Sequence, residues 1–107
     1  MTTFATFRAG PGGEICRRIG LDVSGLTDWR DYTAAVAALA GRDNGLVAAV
    51  RSACLSSGEK AVLAAALHAA DYSALADEVD EGRTWRRLDN THGAFAVAVA
   101  ACVLRVD

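Results

Sequence analysis

Apolar residues recur at intervals of three and four along most of the chain, the repeat of one helix face rather than the alternation of a half-buried strand. Trp29, Tyr32, Val36 and Leu39 form one such stripe. Thr27 is placed to cap it, Asp28 and Asp31 lie in its first turn, where the helix dipole favours acids, and Gly41 closes it. Leu46, Val47, Val50 and Cys54 share a face of the next helix, with Asp43 or Asn44 at its start and Arg51 in its last turn. The short connection over residues 41–44 predicts an antiparallel helical hairpin.

Residues 56–71 carry the clearest helix signal. Ser56 and Glu59 have capping-box spacing, and Val62, Leu63, Ala66, Leu67 and Ala70 make an inward stripe. Lys60, Ala64, His68 and Asp71 fall along another face. Beyond Asp71 the pattern either runs on through Leu75 and Val79 or restarts with Asp71 as a new cap; Gly82 ends it, and residues 83–88 form a short turn or helix. Thr91 is placed to cap a last helix in which Phe95, Val99, Cys102, Val103 and Val106 recur at helical spacing. Residues 96–99 alternate as a strand would, but alanine is depleted in strands, so helix is the better reading. This last element is apolar nearly all round, as expected at a bundle centre or a dimer seam.

The N-terminal lead-in reads differently. Residues 2–8 alternate loosely around Phe4 and Phe7, as a short edge strand or an arm laid on the core would. Gly10, Pro11, Gly12 and Gly13 form a breaker cluster read as a plain turn, followed by a short helix over residues 14–19 with Ile15, Cys16 and Ile19 inward and Gly20 at its end. The expected fold is one all-α domain over residues 1–107: a compact bundle of about five helices, with an N-terminal strand or arm and Gly-rich turn over residues 1–13.

Composition narrows this picture. Alanine makes up about a fifth of the 107 residues, which favours closely packed helices around a thin core. The formal charge of -2 gives no basic footprint for nucleic acid or an anionic membrane. Cys16, Cys54 and Cys102 are odd in number, widely spaced and set among apolar residues, so they read as buried, reduced thiols of a cytoplasmic protein. The opening residues lack a secretory signal, and the longest apolar run, residues 93–104, falls short of the about 20 residues that a membrane helix needs. The bias toward arginine and alanine, with Lys60 the only lysine, hints at a GC-rich bacterial or phage source.

Candidate chemistry is sparse. His68 with Asp71, and Tyr72 within reach, is the one local pairing suited to acid-base work. No spacing that includes His92 matches a zinc pattern, no nucleophile elbow or phosphate loop is present, and neither a metal nor a cofactor is expected. A helix-turn-helix reading of residues 46–70 fails on side chains, because after Lys60 the second helix offers little for phosphate contact or direct base readout. Asp77, Glu78, Asp80 and Glu81 crowd a helix C-terminus, where the dipole disfavours them, and are followed by Arg83, Trp85, Arg86 and Arg87. Trp and Arg are the commonest interface anchors, so this segment is the candidate binding surface; the competing view pairs the arginines internally with the acids. The expected function is non-enzymatic: a small cytoplasmic protein that binds another protein as an inhibitor or adaptor, phage- or plasmid-borne, with the general profile of anti-CRISPR inhibitors. The alternatives are an enzyme or ligand-binding protein using His68 and Asp71, and a homodimer sealed by the last helix.

Overall fold

A computed structural model describes residues 2–42, 45–81 and 91–107. Among them the chain forms seven helices: α1 (Phe4–Ala9), α2 (Pro11–Arg18), α3 (Trp29–Ala40), α4 (Gly45–Ser52), α5 (Ser57–Ala69), α6 (Ser73–Asp80) and α7 (Gly93–Leu104). The all-α expectation holds. The count of about five was too low, because two short helices occupy places read as non-helical or as a continuation.

The first is α1. Its alternation suggested a strand or arm, but Thr3 and Thr6 close a capping box on each other, satisfying N–H groups that a six-residue helix otherwise leaves open. The only strand-like pairing among the described residues is one isolated parallel bridge between Thr3 and Val106. The second is α6, which restarts after α5 rather than continuing it. Asp71 does not cap it; Tyr72 holds that position without a side-chain hydrogen bond.

The Gly-rich cluster is also more than a turn. Pro11 opens α2, where its missing N–H costs nothing, and Gly12 and Gly13 are buried inside that helix. A Cβ on Gly12 would enter the Phe7 ring, and one on Gly13 would meet the Arg8 carbonyl group. The glycines therefore let α1 and α2 touch backbone to side chain and backbone to backbone. Gly20, at φ +84°, ends α2 as expected: its N–H reaches the Arg17 carbonyl and the Leu21 N–H the Cys16 carbonyl, a Schellman closure that an unstrained left-handed glycine permits.

At the start of α3 the cap is Asp28, whose carboxylate accepts the Asp31 N–H at 2.8 Å; Thr27, the expected cap, instead donates its hydroxyl to Asp31. Gly41 closes α3, and α3 packs on α4. The expected caps Asp43 and Asn44 lie outside the described residues.

One hydrophobic cluster draws on all seven helices. The inner part of it is α5, which packs against α2, α6 and α7. Its expected stripe of Val62, Leu63, Ala66, Leu67 and Ala70 is buried, and Ala64, placed on the other face by the sequence, is buried as well. The Ser56 hydroxyl accepts the Glu59 N–H and the Glu59 carboxylate accepts the Ser56 N–H, the capping box the spacing predicted. Beside α5, Phe4, Phe7, Trp29 and Tyr32 form a closed aromatic group with every pair of ring centroids 5.0 to 6.0 Å apart. Such tilted and edge contacts add about 0.5–1.5 kcal/mol per pair to the area buried. The radius of gyration, 12.3 Å, matches the about 13 Å of a compact chain of this length.

Candidate functional site

The acidic run lies on α6 and its end. Asp77, Glu78 and Glu81 are exposed, whereas Asp80 is 2% exposed and belongs to the interior. Helical spacing explains the difference, since Asp80 falls four residues after buried Ala76 on the inward face. Of the four acids, Asp77, Glu78 and Glu81 are the ones at the surface. Arg83, Trp85, Arg86 and Arg87 lie outside the described residues.

Glu78 has a partner that the sequence reading did not name. Arg51, in the last turn of α4, donates from Nε and Nη2 to the two Glu78 oxygens, both at 2.9 Å. These bonds hold the Glu78 carboxyl below its ordinary pKa and raise that of Arg51. They also relieve the conflict between α6 and its acids by setting a cation beside the negative helix end. Arg51 at a helix end was visible in sequence; its meeting with α6 depends on tertiary packing.

Between α4, α5 and α6 lies a cleft of about 240 Å³. Its floor is Val50, Ala53, Leu55, Leu63 and Val79, and its rim carries Arg51 and Lys60 against Glu78 and Glu81. That is below the about 300–1,000 Å³ of typical small-molecule sites and suits a single side chain.

The acid-base candidates do not assemble as expected. Asp71 lies beyond α5 with φ 69°, off the helical register that would have set it beside His68. His68 Nδ1 lies 2.8 Å from the Ser73 hydroxyl instead, with both residues on open surface and Tyr72 half-buried. Among the described residues no group of three or more His, Cys, Asp or Glu is placed to hold a metal. Cys16 and Cys102 are buried, and burial pushes the Cys16 thiol up to about 12 and the Cys102 thiol higher still, so neither is a nucleophile near neutrality. Cys54 departs from expectation: it follows the end of α4 and is exposed.

The last helix is two-sided. Ala98, Ala101 and Cys102 face the core, but Val97, Val103, Leu104 and Val106 are 39%, 70%, 57% and 47% exposed. Val103 and Val106, which recur at helical spacing with Phe95, Val99 and Cys102, are both exposed: Val103 on the α7 face turned away from α1, α2 and α5, and Val106 beyond the end of the helix. No helix among the described residues is long and apolar enough to cross a membrane. No family model, curated protein or solved structure matches this chain.

Proposed function

We propose that this chain acts by binding another protein, as a stoichiometric inhibitor or adaptor rather than as an enzyme, and that it works in the cytoplasm of a bacterium, carried there by a phage or plasmid. The observation that carries the reading is the outer face of α7. Val103 and Leu104 expose more than half their surface on a helix with no charged residue in it. Exposed apolar side chains grouped on an uncharged helix are one mark of an interaction surface. The acidic edge of Asp77, Glu78 and Glu81, continued in sequence by Arg83, Trp85, Arg86 and Arg87, supplies the polar contacts and specificity of the same reading.

The test is capture from cytosolic extract on the immobilised chain, followed by binding measurements with the purified partner. Val103→Asp is expected to weaken that complex at least about 10-fold, as loss of an interface anchor does. Trp85→Ala with Arg86→Ala is expected to weaken it as well. Recovery of no specific partner would overturn the reading, and a partner held equally well by all three proteins would remove both surfaces from it.

A further inference from the structure

We infer that the cleft between α4, α5 and α6 binds a free α-amino acid with a branched aliphatic side chain, its carboxylate at Lys60 and its ammonium group at Glu81. This goes beyond the protein-binding reading: it concerns a small molecule, takes no part of α7, and draws only Glu81 from the acidic edge. The floor of the cleft, with Val50, Leu55, Leu63 and Val79, is aliphatic throughout and holds no ring on which an aromatic ligand would stack. Its volume of about 240 Å³ has room for one aliphatic side chain with its charged groups at the mouth, and not for a larger organic ligand.

The rim decides the charge of the ligand. Arg51 and Glu78 are closed on each other by two hydrogen bonds of 2.9 Å, so neither brings a free charge to the cleft. Lys60 and Glu81 remain, and among the described residues neither side chain has a hydrogen bond or an ion pair. Lys60 is half-buried, and Glu81 closes α6, where the negative end of the helix adds to its carboxylate. A neutral apolar molecule would strip water from both charges and pair with neither. A simple carboxylate would meet Lys60 but be repelled by Glu81, and a simple amine would meet the reverse. A zwitterion with an aliphatic side chain satisfies the two charges and the floor together.

NMR titration of the isotope-labelled chain with L-leucine tests this. The amides of Val50, Leu63 and Val79 are expected to shift and to saturate with a Kd of about 1 mM or tighter. Two analogues are expected to bind at least about 10-fold more weakly, isocaproate for want of the ammonium group and isoamylamine for want of the carboxylate. Lys60→Met and Glu81→Gln keep the length of each side chain and lie outside the buried core. Each is expected to weaken L-leucine at least about 10-fold with the spectrum otherwise native. In Lys60→Met, L-leucine is expected to bind no better than isoamylamine, and in Glu81→Gln no better than isocaproate. Shifts that fail to saturate by about 10 mM L-leucine, an analogue bound as tightly as L-leucine, or either variant holding L-leucine as the wild type does would each overturn the inference. None of these outcomes bears on capture of a partner by the outer face of α7, so the protein-binding reading stands or falls separately.

Discussion

Asp71, with φ 69°, holds the position after α5 that glycine usually takes. The Tyr72 N–H reaches back to the Leu67 carbonyl and the Asp71 N–H to that of His68, so the helix ends in a full Schellman closure built on a left-handed aspartate. That backbone is strained for a residue with a Cβ, and Asp71→Gly is expected to stabilise the fold by about 0.5–1 kcal/mol, read from urea denaturation. Gly13→Ala is expected to lower the stability by about 3 kcal/mol, since its methyl would drive into the Arg8 carbonyl and α1 would have to shift. Gly20 was readable as a helix end because glycine announces that role. Asp71 was not: an acid three residues after a histidine looks like a partner until the backbone turns left-handed. Gly12 and Gly13 misled for the opposite reason, since a pair of glycines marks either a turn or a close helix contact, and only the packed neighbour decides.

Among the elements, α5 was the most legible because local signals agree with its burial. Its first turn is closed by Ser56 and Glu59, and its last carbonyls are met from elsewhere in the chain: Ala66 by the Tyr32 hydroxyl at 2.7 Å and Ala69 by the Arg105 guanidinium at 3.3 Å. Ser56→Ala is expected to cost about 1 kcal/mol. Glu59 also makes this helix end sensitive to acid. The Ser56 N–H, with the Arg18 guanidinium 2.7 Å away, holds its carboxyl below the ordinary value of 4.5. A carboxylate whose pKa is lower folded than unfolded stabilises the fold fully above the unfolded value and loses that contribution as pH falls through the folded one. Stability is therefore expected to decline below about pH 4.5, and Glu59→Gln, compared with wild type by denaturation at pH 7 and pH 3, to show the smaller decline. The end of α5 illustrates what spacing cannot reveal. Tyr32 reads as one more apolar stripe residue, and its hydroxyl partner lies 34 positions away on a backbone oxygen.

Across the whole molecule, the two ends of the chain are fastened to each other. The Val106 carbonyl accepts the Phe4 N–H at 2.8 Å and the Trp29 indole N–H at 3.1 Å, the Asp107 carboxylate accepts the Trp29 N–H at 3.0 Å, and Arg105 covers the end of α5. Three consecutive residues thus tie down α1, α3 and α5. The sequence signals Phe4, Phe7, Trp29 and Tyr32 as apolar, but their assembly into one group depends on this closure, whose main acceptor is a backbone oxygen with no side-chain signature. Each of these four hydrogen bonds has a net worth of about 0.5–1.5 kcal/mol, so removing residues 105–107 is expected to cost about 2–6 kcal/mol, against about 1 kcal/mol for Asp107→Ala. Denaturation followed by the fluorescence of Trp29, in a Trp85→Phe background, measures both. Hydrogen exchange localises the effect: the Phe4 amide and the Trp29 indole N–H should lose protection in the shortened chain, while the buried stripe of α5 keeps its own. If the shortened chain unfolded at the same midpoint with the Phe4 amide still protected, α1 would be held by the aromatic contacts alone, and the tail would be a passenger on the fold.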